Sequence, residues 1–240
     1  MTPTFGASSP GRPIVLLPGM DGTGELSEGF ARSLAQSRPV YAVKYPEQDA
    51  LGYAGLLQFV RSRLPPEPFV ILGESFSGPI AIELAATLPR VSGLILASSF
   101  ARRPVPTILS PFAKTIDPRW LPQSAINAAL FGATGTPDQR SQIHRVLARL
   151  GRNVLLVRAA DVVAVDKLAQ LAKVTCPILY LRGNRDRLIP CRCLDEILQA
   201  QPRAQVCRLD AAHMLLCTHG EAAAFRIEHF YRALRDAAAP

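Results

Sequence analysis

A single serine, Ser75, lies between a short apolar run and a helical segment, and this arrangement constrains the fold more than any other feature. The apolar run Phe69–Leu72 indicates a buried strand, and Pro79–Leu88 has the pattern of a helix that Pro89 ends. Small residues stand two before, two after and three after the serine, so the chain can make a tight, strained turn there. Such a turn lifts the hydroxyl above the sheet edge, beside the free N–H groups of a helix N-terminus. We therefore interpret Ser75 as a candidate nucleophile.

The turn has the sequence Gly73-Glu74-Ser75-Phe76-Ser77-Gly78. It approximates the G-x-S-x-G pattern of a strand–turn–helix nucleophile, with Ser77 in the place of the second glycine. We interpret Ser77 as a tolerated small residue with a structural role.

Apolar runs alternate with helical patterns on both sides of this turn. They predict strands at Pro13–Leu17, Val40–Val43, Phe69–Leu72, Gly93–Ala97, Pro177–Leu181 and Gln205–Leu209. The alternation predicts an α/β fold with a mostly parallel, doubly wound sheet that carries helices on both faces.

The alternation stops after the fourth predicted strand. Prolines punctuate a loop whose apolar side chains include Ile108, Leu109, Phe112 and Trp120. Three helical segments follow, at Ser124–Phe131, Pro137–Leu150 and Val154–Leu171. We predict that 1–101 and 175–240 form one core and that 102–174 is a helical cap inserted at the ligand-binding edge of the sheet.

Composition excludes several classes of protein. The 240 residues are 48% hydrophobic and 19% charged, as expected for an ordinary globular protein. The net charge is +8, but the basic residues are scattered and are nearly all arginine, so we expect no nucleic-acid partner. No apolar run is long enough to cross a membrane, and the N-terminal residues lack the apolar segment of a secretory signal. Oligomeric state cannot be derived from the sequence.

The five cysteines predict free thiols in a cytoplasmic protein, because an odd number is found without a secretory signal. Cys191, Cys193, His213 and Cys217 are an alternative zinc set, but the spacing of the first two is not that of a zinc knuckle. We favour incidental thiols and expect no metal. The glycine-rich loop from Gly19 to Gly24 lacks a nucleotide-binding pattern, and we expect no cofactor.

A serine nucleophile needs a base, and the base needs a third group to orient it. His213 follows the last predicted strand at the same sheet edge as Ser75, and we rank it above His219. Asp186 follows the fifth predicted strand through a Gly-Asn turn and is our candidate acid. Asp210 is the alternative acid, although it would have to reach round its own loop.

The loop after the first predicted strand is a candidate for half of an oxyanion hole. Backbone N–H groups of Met20 and Phe76 would bind the oxyanion. We expect Gly19, Asp21 and Trp120 to contact the substrate.

The chain resembles the α/β-hydrolase superfamily over essentially its whole length, because it carries Ser75, Asp186 and His213 in this order on alternating strands and helices. The segment Leu17-Pro18-Gly19-Met20-Asp21-Gly22-Thr23-Gly24 resembles a group with esterase, lipase, thioesterase and acyltransferase members, which includes phytyl-ester-synthase-like proteins of plants. Two departures are Pro18-Gly19 in place of the usual His-Gly and Ala212 in place of the usual Gly before the histidine. Neither removes a catalytic group.

The resemblance implies an α/β-hydrolase fold and a serine hydrolase that cleaves carboxylic esters of small molecules through an acyl-enzyme. A thioesterase or an acyltransferase with the same triad is the alternative within enzymes. A ligand-binding protein that kept the fold without turnover is the alternative from another class.

Overall fold

The computed structural model describes residues 4–6, 11–105 and 117–236. Ile108, Leu109 and Phe112, which we predicted in the loop before the cap helices, lie outside the described residues. All six predicted strands are present, in one sheet of order β2-β1-β3-β4-β5-β6 whose neighbouring strands pair in parallel. The strands are β1 Ile14–Leu17, β2 Val40–Ala42, β3 Phe69–Glu74, β4 Val91–Ala97, β5 Ile178–Gly183 and β6 Gln205–Leu209.

Helices connect these strands. They are α1 Glu28–Leu34, α2 Tyr53–Arg61, α3 Gly78–Thr87, α4 Gln123–Phe131, α5 Pro137–Arg149, α6 Val154–Ala164, α7 Leu168–Leu171, α8 Cys191–Ala200, α9 Leu215–Thr218 and α10 Gly220–Asp236. Short 3₁₀ turns cover Glu25–Ser27, Ser75–Ser77 and Pro118–Trp120.

Strands β1, β3, β4 and β5 are apolar at most successive positions because both faces of this part of the sheet are covered, whereas the edge strand β6 is largely exposed. In β1, Val15 and Leu17 face a core that includes residues of α2, α3, α7 and α8. Ile14 and Leu16 face the opposite core, which α1, α9 and α10 complete. The predicted doubly wound α/β fold is confirmed.

Helices α4, α5 and α6, which lie between β4 and β5 in the sequence, supply most of a third apolar cluster. It contains Phe131, Val146 and Leu155 and packs on Leu26 and Met214, which lie at the carboxyl edge of the sheet. Helix α5 starts at a capping box in which Thr136 and Gln139 exchange hydrogen bonds. This cluster therefore adjoins the loop that carries His213. The division of the chain at 102 and 174 stays a prediction.

The prediction of one helix over Val154–Leu171 is wrong, because the chain forms two helices there. Helix α6 ends at Ala164, and Val165 has extended backbone angles. Two backbone hydrogen bonds, Arg103 N–H to Val165 and Lys167 N–H to Ala101, pair this segment with the chain after β4. Pairing with another part of the chain thus overrides the local helical pattern. Within the described part of the chain, no helix has the length and apolar character that crossing a membrane requires.

Candidate active site

Ser75 occupies a strained turn between β3 and α3. Its φ angle is +48°, in the left-handed region that costs free energy for any residue with a Cβ. The turn is tight enough that a Cβ on Gly73 would lie 2.8 Å from the Cα of Gly78, and a Cβ on Gly78 would overlap the Ser99 hydroxyl. That hydroxyl donates to the Ser75 carbonyl at 2.5 Å. The glycines therefore allow the turn, and Ser99 fixes it.

Ser77, at the second glycine position of the motif, is fully buried and hydrogen-bonded. Its hydroxyl donates to the Pro18 carbonyl and shares a 2.6 Å hydrogen bond with the Tyr45 hydroxyl. A serine at this position thus links the turn to the loop after β1, which a glycine could not do.

His213 lies in the loop between β6 and α9. Its Nε2 is 2.8 Å from the Ser75 Oγ, although the two residues are 138 positions apart in the sequence. Its Nδ1 is 3.0 Å from the Asp186 Oδ2, and its side chain is buried. With a proton on Nδ1, Nε2 is free to accept the serine proton.

Asp186 lies in the turn after β5, and its side chain is fully buried. Its second oxygen, Oδ1, accepts the N–H groups of Leu188 at 2.9 Å and Ile189 at 3.0 Å. Burial by itself would raise the pKa of Asp186, but the charge of His213 and these hydrogen bonds outweigh it, so the pKa lies below its ordinary value. The carboxylate is therefore held in the charged form that can orient His213.

The structure places the two alternative residues elsewhere. His219 follows α9, and its Nδ1 is 2.9 Å from the Thr218 Oγ1. Asp210 is exposed and forms an ion pair with Arg185 at 2.5 Å. Ser75, His213 and Asp186 are thus the three candidates that form a continuous chain of hydrogen bonds.

The loop after β1 is ordered by its own residues. Gly22 has φ +82° and donates to the Gly19 carbonyl at 3.0 Å, which closes a tight turn. The Asp21 carboxylate accepts the N–H of Thr23 at 2.9 Å and its hydroxyl at 2.6 Å. Asp21 therefore shapes the loop in which Met20 lies. Its contact with substrate, like that of Gly19, stays a prediction.

Phe76 follows Ser75 at the start of a helical segment. The first N–H groups of such a segment lack an acceptor in the helix. The Phe76 carbonyl accepts the Tyr53 hydroxyl at 2.9 Å, and the two rings stack with centroids 4.6 Å apart. Trp120 ends a 3₁₀ turn with 74% of its surface exposed, and its role in substrate binding stays a prediction.

Sequence reasoning missed two charged residues beside the site. Glu74 directly precedes Ser75, is buried, and accepts hydrogen bonds from the Ser27 hydroxyl on both carboxylate oxygens, at 3.2 and 3.0 Å. Burial, followed by the charge of Asp21, raises the pKa of Glu74 to about 7, against the opposing effects of Ser27 and His213. Arg158 on α6 is fully buried and reaches the loop after β1. Glu74 lay in the motif itself, whereas Arg158 gave no sequence signal.

Among the described residues, no group of three or more His, Cys, Asp or Glu side chains could hold a metal ion. All five cysteines are free thiols. His213 of the alternative zinc set is engaged with Ser75 and Asp186.

The sequence model of the alpha/beta hydrolase family matches residues 14–226, which is most of the chain. The chain belongs to the alpha/beta hydrolase family. A pimeloyl-[acyl-carrier protein] methyl ester esterase of Xylella fastidiosa (strain M23) is 29% identical over 186 residues, or 70% of this chain and 72% of that protein. The chloroplastic phytyl ester synthase 1 of Arabidopsis thaliana is 30% identical over 116 residues, which cover 41% of this chain and 16% of that protein. The X. fastidiosa relative supports an esterase type of alpha/beta hydrolase.

Solved structures agree with the fold of this alpha/beta hydrolase. The enol-lactonase of Burkholderia xenovorans LB400 superposes with a TM-score of 0.79 at 17% identity, over 93% of this chain and 92% of the lactonase. At that identity the likeness establishes the fold only.

Proposed function

We propose that this alpha/beta hydrolase cleaves a carboxylic ester of a small molecule, with Ser75 as nucleophile, His213 as general base and acid, and Asp186 as the group that orients His213. The observation that carries the proposal is the hydrogen-bonded chain from the Ser75 Oγ through His213 to the Asp186 carboxylate, at 2.8 and 3.0 Å. Its order along the sequence and its place at the carboxyl ends of three strands support the same roles.

The acylation step follows from this geometry. His213 Nε2 takes the Ser75 proton as Oγ attacks the ester carbonyl carbon. The resulting oxyanion accepts hydrogen bonds from the N–H groups of Met20 and Phe76. When the tetrahedral intermediate collapses, His213 gives its proton to the departing alcohol, and the acyl group stays on Ser75.

Water completes the reaction. His213 takes a proton from a water molecule as the water oxygen attacks the acyl carbonyl carbon. It returns that proton to the Ser75 Oγ when the carboxylic acid leaves. Asp186, charged throughout, stabilises the protonated imidazole between these transfers.

We assign acyl-chain recognition to the helical segment 102–174, with Gly19, Asp21 and Trp120 as proposed contacts. The apolar cluster of α4, α5 and α6 packs on Met214, the residue after His213, and so borders the reacting centre. The five free cysteines favour a reducing compartment, and we propose the cytoplasm.

Turnover of p-nitrophenyl esters of increasing acyl length, with matching thioesters, tests the proposal. We expect Ser75→Ala and His213→Ala to lose about 10³-fold or more in kcat and Ser75→Ala to lose labelling by a fluorophosphonate. The matched control is Ser62→Ala, which removes an exposed serine hydroxyl at the end of α2 and should keep the labelling. Near wild-type turnover by Ser75→Ala would refute the assignment. A chain that neither turns over nor labels would be a binding protein on this fold.

The second candidate is the same reaction on an acyl methyl ester attached to a carrier protein, which the X. fastidiosa relative suggests. The exposed arginines Arg145 and Arg152, on and just after α5, are the proposed contacts of an acidic carrier protein. The double variant Arg145→Glu/Arg152→Glu should then raise KM for a carrier-bound methyl ester and leave KM for p-nitrophenyl acetate unchanged. A KM for the carrier-bound methyl ester that is the same in the double variant and the wild type would exclude this candidate.

A further inference from the structure

Helix α6 directs two charged side chains, Arg158 and Asp161, toward the loops beside the nucleophile. The two residues are three positions apart, so they lie on one side of the helix. Each contacts a different loop of the core.

Arg158 binds the loop after β1 through backbone carbonyls. Its Nη1 donates to the carbonyls of Met20 at 2.8 Å and Asp21 at 2.9 Å, and its Nη2 donates to the Pro46 carbonyl at 3.0 Å. The residue is fully buried, and its Nε finds no acceptor within the described residues. A buried guanidinium is costly to desolvate, and the three carbonyl contacts offset part of that cost.

Gly22 and Tyr45 enclose the Arg158 guanidinium. A Cβ on Gly22 would lie 2.6 Å from the Arg158 Nη1, so a glycine is needed there for space as well as for its φ of +82°. The Tyr45 ring lies 5.6 Å from the guanidinium, and the Tyr45 N–H donates to the Gly22 carbonyl at 2.8 Å. The guanidinium is thus enclosed by the loop that it holds.

Asp161 reaches the other side of the site through Tyr53. Its Oδ2 accepts the Tyr53 backbone N–H at the start of α2. The Tyr53 hydroxyl in turn donates to the Phe76 carbonyl at 2.9 Å, and its ring stacks on the Phe76 ring. One helix therefore contacts, directly or through one residue, the carbonyls of Met20 and Phe76.

We propose that α6 positions both donors of the oxyanion hole, with Arg158 holding Met20 and Asp161 holding Phe76 through Tyr53. The inference rests on the proposed function, in which these two N–H groups bind the oxyanion. A carbonyl shares its peptide plane with the N–H of the next residue, so the planes that carry the two donor N–H groups are held by the Gly22 N–H on the Gly19 carbonyl and by the Ser99 hydroxyl on the Ser75 carbonyl. The contacts of α6 hold the following plane, on the other side of the Cα of each donor residue, and so complete the restraint of Met20 and Phe76. Donors placed before the reaction need no reorganisation when charge develops, which is why their placement affects the transition state more than the bound substrate.

The test separates positioning from packing with graded variants. Arg158→Lys keeps the charge but cannot reach three carbonyls, Arg158→Ala removes the group, and Tyr53→Phe removes only the hydroxyl on Phe76. The control is Arg149→Ala, which breaks the ion pairs of α5 with Glu25 at 2.6 Å and Glu47 at 3.3 Å but leaves Met20 and Phe76 untouched.

We expect kcat on a p-nitrophenyl ester to fall about tenfold to hundredfold for the Arg158 variants, because complete loss of one donor costs about 10²–10³-fold. For Tyr53→Phe we expect kcat to fall about threefold to tenfold. The KM of the Arg158 and Tyr53 variants should stay within about twofold of the wild-type value. Affinity for a trifluoromethyl ketone, whose adduct with Ser75 carries the oxyanion, should fall by the same factor as kcat/KM. Arg149→Ala should keep both kcat and inhibitor affinity.

Unchanged kcat in folded Arg158→Lys and Tyr53→Phe would overturn the inference, as would a loss expressed only in KM. An equal loss of kcat in Arg149→Ala would also overturn it, because general loosening of the helical segment would then explain the effect. Should Arg158→Ala not fold, the Arg158→Lys and Tyr53→Phe results decide. If Ser75→Ala retains wild-type turnover, the proposed function itself fails, which is a different result from inactive Ser75→Ala with unaffected Arg158 variants.

Discussion

Replacing Glu74 by glutamine should stabilise the protein at pH 8 and leave its stability at pH 4.5 nearly unchanged. The carboxyl group is buried beneath the turn at Ser75 and accepts hydrogen bonds from the Ser27 hydroxyl. Glutamine has nearly the same shape, offers one oxygen to the same hydroxyl and carries no charge at any pH. The substitution therefore removes the ionisation of the group while it keeps the packing.

The magnitude follows from the pKa of Glu74, which burial raises from its ordinary value of 4.5 to about 7 in the folded protein. Between these values the unfolded chain has lost the proton and the folded protein keeps it. The free energy of unfolding therefore falls as pH rises through this window, by about 1.36 kcal/mol for each pH unit. This loss of unfolding free energy is absent below pH 4.5, grows to about 3 kcal/mol between pH 4.5 and 7, and is fully present above pH 7. Glu74→Gln should recover about this amount at pH 8.

Urea unfolding of the wild type and of Glu74→Gln at pH 4.5, 6, 7 and 8 measures the effect. The exposed Glu221, in the first turn of α10, provides the control Glu221→Gln. The difference in unfolding free energy between Glu74→Gln and wild type should grow with pH, whereas that of the control should stay flat. A Glu74→Gln difference that is the same at pH 4.5 and pH 8 would refute the electrostatic reasoning.

Three further substitutions test the site. Asp186→Asn should lower kcat about 10³- to 10⁴-fold with little change in KM, measured by ester turnover, because the imidazole loses its orienting charge; a loss below tenfold would contradict the proposed role. Gly78→Ala places a methyl group against the Ser99 hydroxyl, and thermal unfolding should show a destabilisation of about 1–3 kcal/mol. Gly22→Ala combines a positive φ with a clash at Arg158, and should lower both the unfolding temperature and kcat; an unchanged kcat would separate this loop from catalysis.

Much of the fold could be predicted because its signals are local. Strands covered on both faces are apolar at most positions, and each of the six runs predicted as a strand became one. The turn at Ser75 could also be predicted from the sequence, because a chain that reverses so sharply accepts only small residues at the positions of Gly73 and Gly78. The helix prediction failed at Val165, where the chain pairs with residues after β4 that no local pattern reveals.

The residues that support the site were invisible in the sequence for a related reason. Arg158 resembles any arginine on an amphipathic helix until its acceptor, the Met20 carbonyl 138 residues away, is known. Tyr53 lies at the start of a helix in which nothing indicates contact with Phe76. Both side chains bind backbone carbonyls. Every residue type has a backbone carbonyl, so the sequence does not show which one is bound.

The sequence by itself determined the strands, the strained turn and the residue types able to act as nucleophile, base and acid. These depend on the backbone preferences and polarity of neighbouring residues. Only the tertiary structure decided that Ser75 and His213 meet at 2.8 Å, that Asp186 hydrogen-bonds to His213 while Asp210 pairs with Arg185, and that α6 lies against both loops. Such choices depend on how distant segments pack at the carboxyl edge of one sheet, where distances are set by the assembled core.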